Sequence, residues 1–241
     1  MLLSIFMGPL FLATVSMTRS ISRPKKVVPK PIPCSPLQLV FLVGATELKR
    51  PGNVGGPLTK DLATSLPGYR INHINATCSN ASTRTTTYSV PYDNRFRFKT
   101  SVTEGAEMTV KYIVEQAARC PHQLFVLGGY SKGGMVIHSM NLPKSVIDRV
   151  IAIVVFGDPF YEIPTLWPID FPAVNLNPRA GLNSSDNVIS FCNKGDVVCQ
   201  HSGVNFFPHW TYGRDGSTVI AATFIKKRMK MKQSVASPIA S

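Results

Sequence analysis

A single three-layer α/β/α domain with a central parallel sheet of about five strands is the fold this sequence predicts, on three observations. Short apolar runs alternate with helical patterns along the body of the chain. The 241 residues are 44% hydrophobic and 16% charged, enough to fill one sizeable core and too apolar for a disordered chain. A glycine–serine–glycine turn sits between an apolar run and a helical stretch, which exposes the serine at the carboxyl edge of such a sheet. Right-handed crossovers between parallel strands place helices on both faces.

Residues 37–43 (LQLVFLV) read as a buried strand stopped by Gly44. Leu58, Leu62 and Leu66 recur every four residues, an amphipathic helix ahead of Pro67. Residues 69–75 alternate weakly, as an outer strand would. Ser101, Val102, Thr103 and Glu104 spell a capping box, and the helix it opens carries Met108, Tyr112, Glu115 and Arg119 toward Pro121. Residues 123–127, 150–156 and 187–192 are three further buried strands, and a last helix runs from about 217 to 230. No internal repeat interrupts the pattern. The expected division is a signal peptide over 1–17, a basic proline-rich segment over 18–33, the domain over 34–230 and a short tail over 231–241.

The formal charge is +13, but its placement argues against a nucleic-acid partner. All 13 acids lie between Glu47 and Asp215 together with 16 of the 26 bases, so the body is nearly balanced. The other ten bases sit in the two ends, from Arg19 to Lys30 and from Lys226 to Lys232. The apolar run over 2–15 is too short to span a bilayer and is expected to direct secretion, which leaves no membrane span in the mature protein. Sequons at Asn75, Asn80 and Asn183 agree with an extracellular, glycosylated protein, expected to be monomeric. In an oxidising compartment four of the five cysteines should pair. Cys192 and Cys199 are close enough to close a small ring, a contribution of about 2.5 kcal/mol from chain entropy. Their spacing does not suit zinc, no histidine pair has metalloprotease spacing, and neither a metal nor a cofactor is expected.

The chemistry centres on Gly129-Tyr130-Ser131-Lys132-Gly133, a G-x-S-x-G pentapeptide after LFVL and before a helical GMVIHSM. A serine nucleophile there needs a base, and the base an orienting acid, in the chain order serine, acid, histidine. His201 and His209 both follow a late strand, and the acid candidates between are Asp158, Glu162, Asp170, Asp186 and Asp196. Asp158 follows a strand end and precedes Pro159, where a turn-forming role suits it better. Asp196 lies inside the Cys192–Cys199 ring, which would hold a carboxylate in place, and the residues favour Asp196 with His209 while leaving the others open.

Residues 127–133 (LGGYSKG) and 191–199 (FCNKGDVVC), with Pro208-His209, Tyr212-Gly213, 44–47 (GATE), Gly55-Gly56-Pro57, and Ser101, Glu104, Gly105 and Cys120-Pro121, resemble the cutinase family of secreted serine esterases. The resemblance spans about 34 to 226 with the motifs in order. It implies an α/β-hydrolase fold without a large lid, Ser131 as nucleophile, Asp196 as acid and His209 as base. It also implies disulfides Cys34–Cys120 and Cys192–Cys199, with Cys78 unpaired, the longer loop contributing roughly 4.6 kcal/mol. The backbone N–H groups of Ala45 and Lys132 would form the oxyanion hole. Three positions depart from what many members carry: Ala45 replaces a serine or threonine, Lys132 a glutamine and Val43 an arginine. The Lys132 ammonium is expected beside the oxyanion site or, along its stem, in solvent.

Val204, Phe206 and Phe207, just ahead of His209, would form an apolar lip for an acyl chain. Residues 161–178 look longer than usual, and Trp167 and Phe171 would lie at the groove or on a proline-ordered surface loop. The expected substrates are cutin-like polyesters or short-chain acyl esters, with acetylxylan as the alternative within the family. A catalytically silent polymer-binding protein is the alternative outside it. The polar turn around Asp196 has little apolar material to fix it, so the small disulfide is expected to supply much of its order.

Overall fold

The computed structural model describes residues 32–66, 85–200 and 202–236. Among the described residues six parallel strands form one sheet: β1 (Leu37–Leu42), β2 (Thr85–Ser89), β3 (Leu124–Tyr130), β4 (Val150–Phe156), β5 (Val174–Asn175) and β6 (Val188–Phe191). Their order is β2-β1-β3-β4-β6-β5. β1, β4 and β6 are buried along their whole length, as strands covered on both faces must be. Gln38, fully buried in β1, is tolerated because Thr86 Oγ1 accepts from its amide at 3.3 Å and the Tyr112 hydroxyl donates to its carbonyl oxygen at 3.1 Å.

Helix α1 (Gly52–Ser65) packs against α5 (Ser217–Ala236), while α2 (Phe98–Arg119) packs against α3 (Lys132–His138), and the short α4 (Lys144–Ile147) leads into β4. The core lies between these pairs and the sheet. The Cys34–Cys120 disulfide ties the entry of β1 to the end of α2, with Cα atoms 5.6 Å apart. Cys192–Cys199 closes the ring after β6.

Several expectations change. The observed edge strand is β2, whose Thr-Thr-Thr-Tyr-Ser buries only Tyr88, stacked on Tyr112 at 3.5 Å between ring centroids. The strand expected over 69–75 lies outside the described residues, as do the signal peptide, most of the basic segment, Cys78 and the sequons at Asn75 and Asn80. Helix α2 starts three residues before the expected capping box. Ser101 is buried inside the helix and its hydroxyl donates to the Arg97 carbonyl, so it caps nothing. Helix α5 continues to Ala236, so much of the expected tail is helical. Among the described residues no helix is long and apolar enough to cross a membrane.

Candidate active site

The carboxyl ends of β1, β3, β4 and β6 meet along one sheet edge, and each delivers part of the site. After β3 the chain turns sharply into α3, and Ser131 at the junction adopts φ 52° and ψ −120°, a strained conformation for a residue with a Cβ. Its N–H donates to Phe156 O of β4 at 2.8 Å, and its own carbonyl accepts from Gly134 N–H at 2.8 Å. The flanking glycines are needed for approach. A Cβ on Gly133 would lie 2.1 Å from the Leu42 carbonyl oxygen, and one on Gly129 2.8 Å from the Gly133 backbone.

The turn after β1 comes up beside the serine, since a Cβ on Gly44 would sit 3.5 Å from Ser131 Cβ. The Glu47 carboxylate fixes this turn by accepting from Gly44 N–H at 2.7 Å and Asn53 N–H at 2.6 Å. Thr46 takes a left-handed φ of 61° and donates its N–H to Asn94 O at 2.9 Å. Among the described residues the N–H groups of Ala45 and Lys132 donate to no acceptor, which leaves both free for a ligand oxygen.

Asp196 is fully buried in the Cys192–Cys199 ring. Its Oδ2 lies 2.9 Å from His209 Nδ1 and accepts from the Tyr212 hydroxyl at 2.6 Å, while Oδ1 accepts from Val198 N–H at 2.8 Å. Burial alone would push this carboxyl up, but the hydrogen bonds from His209, Tyr212 and Val198 hold it below its ordinary value. A carboxylate only accepts, so Nδ1 carries the imidazole proton and Nε2 keeps its lone pair. Burial and the charge of Asp196 push the Tyr212 hydroxyl far up, so it stays a donor.

His209 sits in a single 3-10 turn, Pro208–Trp210, with its carbonyl bound by Tyr130 Oη at 2.9 Å. Its ring lies over Gly157, where any Cβ would come within 2.6 Å. Among the described residues neither Ser131 Oγ nor His209 Nε2 makes a hydrogen bond, so both are free to engage a substrate. Asn193 joins the acid ring to the base turn. Its N–H donates to Tyr212 Oη at 2.9 Å, and its amide to Pro208 O at 3.0 Å and Asp215 Oδ2 at 2.7 Å. Sequence reasoning missed Tyr212 and Asn193, although both stand in the motifs that carried the resemblance.

Of the competing candidates, His201 lies outside the described residues. Asp158 forms the turn expected of it, its carbonyl accepting from Tyr161 N–H at 3.0 Å and its Oδ1 from Phe160 N–H at 3.1 Å, while its buried carboxylate also pairs with His138 Nε2 at 2.8 Å and is not shared with His209. Trp167 packs on the other side of that histidine, 4.0 Å between ring centroids, while Phe171 is almost fully exposed. Lys132 neither faces the site nor reaches solvent: its side chain is fully buried, pointing away beneath the segment 93–101. Val43 is fully buried as well. Asn183 is exposed. Around the site, Val204 (87%), Phe206 (52%), Phe207 (69%) and Trp210 (61%) expose their side chains on the base side. Near the turn after β1 and in the segment 93–101, Leu48 (97%) and Phe96 (68%) do the same. Among the described residues no cluster of three His, Cys, Asp or Glu is arranged to hold a metal.

A parallel sheet whose carboxyl edge presents a strained serine beside a buried aspartate–histidine pair is the frame of an α/β hydrolase. Comparison with known proteins narrows this. The chain belongs to the cutinase family, whose model matches residues 33–229. It is 29% identical over 200 residues to carboxylesterase Culp1 of Mycobacterium tuberculosis, covering 82% of this chain and 83% of that one. A Trichoderma reesei cutinase solved with a phosphonate inhibitor superposes with a TM-score of 0.63 at 25% identity, over 82% of this chain and 78% of the other. An acetylxylan esterase shares the fold, with a TM-score of 0.61 at 16% identity over 81% of this chain and 99% of its own. This protein is a carboxylic ester hydrolase.

Proposed function

We propose that Ser131, His209 and Asp196 form the catalytic triad of a secreted, monomeric esterase that opens cutin-like polyesters and short-chain acyl esters. Ser131 Oγ attacks the ester carbonyl carbon while its proton passes to His209 Nε2. The negative oxygen that results is received by the N–H groups of Ala45 and Lys132. His209 returns the proton to the departing alcohol oxygen, leaving an acyl-serine. Water, deprotonated by the same nitrogen, then releases the acid and restores the serine. Asp196 holds the imidazolium, and Tyr212 and Asn193 hold Asp196.

The observation that carries the triad is the 2.9 Å contact between Asp196 and His209 at the sheet edge that bears Ser131. The loss of a hydroxyl at Ala45 leaves both backbone donors in place, so the oxyanion hole needs no side chain there. The choice of substrate rests on the exposed Val204, Phe206, Phe207 and Trp210 in the segment that carries His209, and on the exposed Leu48 and Phe96 in the segments that carry Ala45 and Asn94. Apolar side chains clustered around a site mark a surface made for an apolar partner, here the acyl chain or polymer face. A sugar chain would ask for hydrogen-bonding groups beside the aromatic rings as well. Secretion is supported by the two disulfides.

A chain-length series of p-nitrophenyl esters run beside acetylated xylan tests this choice. The expected result is activity that persists or rises from acetyl to butyryl and hexanoyl, with little acetate released from xylan. Strict preference for acetyl groups and efficient xylan deacetylation contradicts it.

A further inference from the structure

We propose that the buried Lys132 ammonium positions the oxyanion hole by locking its two backbone donors, which belong to separate elements, into one frame. The inference rests on the reading above that the N–H groups of Ala45 and Lys132 receive the oxyanion.

Among the described residues no hydrogen bond joins those two donors or their immediate neighbours directly. The last sheet pairing between their strands is Leu42 with Gly129, and beyond it the turn 44–47 leaves the sheet while the other strand turns into α3. The segment 93–101 bridges the gap. Asn94 grips the turn, donating from Nδ2 to Gly44 O at 3.0 Å and Glu47 O at 2.9 Å and accepting from Thr46 N–H. The residues on either side of Asn94 give their carbonyls to Lys132. Its Nζ donates to Asp93 O at 3.0 Å and Arg95 O at 2.5 Å, and a third bond runs to Ser101 Oγ at 2.7 Å on α2. Ala45 is therefore tied through Asn94, two adjacent carbonyls and the lysine stem to the Lys132 backbone.

The chemistry of the pocket demands an ammonium. Three acceptors converge, and Lys132 has three N–H donors to satisfy them. Among the described residues no carboxylate pairs directly with it, since Asp93 gives both its oxygens to Arg95, at 2.9 and 2.8 Å. The rings of Tyr92 and Phe98 each lie 5.5 Å from Nζ and present their faces to it. Burial pushes the ammonium pKa down and the charge of Asp93 opposes that push. A buried cation that is fully hydrogen-bonded is a stiff strut, since letting go of any partner exposes an unmet charge.

The test is a double-mutant cycle of Lys132→Met, which keeps the stem and removes the donors, and Asn94→Ala, which cuts the bridge at its other end. Turnover and KM on a soluble short p-nitrophenyl ester are measured beside far-UV circular dichroism and melting curves. Each single variant should lower kcat on the order of tenfold to a hundredfold with KM within about twofold, because the oxyanion carries its full charge only in the transition state. The double variant should be no worse than the weaker single variant, since both cut one bridge. Lys132→Gln, with two donors left, should recover part of the loss. Should Lys132→Met fail to fold, Lys132→Gln takes its place in the cycle. Unchanged kcat in the folded variants, a fall in kcat matched by a rise in KM, or losses that multiply would each overturn the proposal. A wild-type protein that neither hydrolyses the ester nor reacts at Ser131 with a fluorophosphonate would overturn the underlying site reading instead.

Discussion

Ser131 itself is fixed mainly by backbone: glycines let β1, β3 and α3 approach to contact distance, and a strained φ aims the side chain. Asp196 and His209, by contrast, lie after β6 outside the six-stranded sheet, Asp196 in a single bridge with Asn205 and His209 in a 3-10 turn. A disulfide ring, the Tyr212 hydroxyl, the Val198 N–H and the Asn193 amide share the task of holding them. The difference teaches where each half should fail. The nucleophile half depends on space and should break all at once, while the acid–base half depends on several bonds and should degrade in steps.

The largest effect is expected from Gly133→Ala. The new Cβ would need to displace the Leu42 carbonyl, 2.1 Å away, and neither strand end nor helix start can yield without moving Ser131. A shift near 1 Å costs about a hundredfold in rate, and overpacking of this kind about 1–3 kcal/mol in stability. Esterase turnover and a melting curve check both. Wild-type turnover in this variant would mean that the elbow is looser than its contacts imply.

A smaller, graded effect is expected from Tyr212→Phe. It removes one donor from a buried carboxylate, a bond worth about 1.5–3 kcal/mol, and should lower turnover by about tenfold or somewhat more. The Cys192→Ser/Cys199→Ser variant should also keep measurable activity, because hydrogen bonds share the ordering of Asp196 with the disulfide. Combined with Tyr212→Phe it should lose more than the product of the separate losses. Full activity in the combined variant would place the ordering of Asp196 elsewhere.

The fold was legible where burial writes a simple pattern. β1, β4 and β6 emerge within a residue or two of their expected bounds because strands covered on both faces are apolar throughout. β2 was missed because an edge strand of threonines carries no such signal, and β5 because two residues carry none at all. The serine elbow and the acid ring were readable from spacing. Lys132 was not, since the direction of a long stem is decided by carbonyls 37 and 39 residues away in sequence. The pairing of Asp158 with His138 was hidden for the same reason, one partner lying on a helix and the other past a strand end.

The smallest effect concerns acid stability. Burial would raise Asp196 and Asp215, but His209, Tyr212 and Val198 bonds on the first, and Ser217 and Asn193 bonds with the charge of Arg179 on the second, hold both below their ordinary value of 3.8. The folded state then takes up protons less readily than the unfolded chain. Their contribution is present above that value and is lost as pH falls through the lower folded value. Melting temperature should drop below about pH 4, with a shallower drop in Asp215→Asn. Equal slopes for the two proteins would show that Asp215 contributes nothing to acid stability.

The triad assignment is tested most directly by covalent labelling with a fluorophosphonate, followed by peptide mass spectrometry. The account predicts one label per chain, on Ser131, loss of ester hydrolysis in step with labelling, and neither label nor hydrolysis in Ser131→Ala. His209→Ala should slow labelling sharply while the protein stays folded. Hydrolysis that survives in Ser131→Ala, or a label on another serine that tracks the loss of activity, would contradict it.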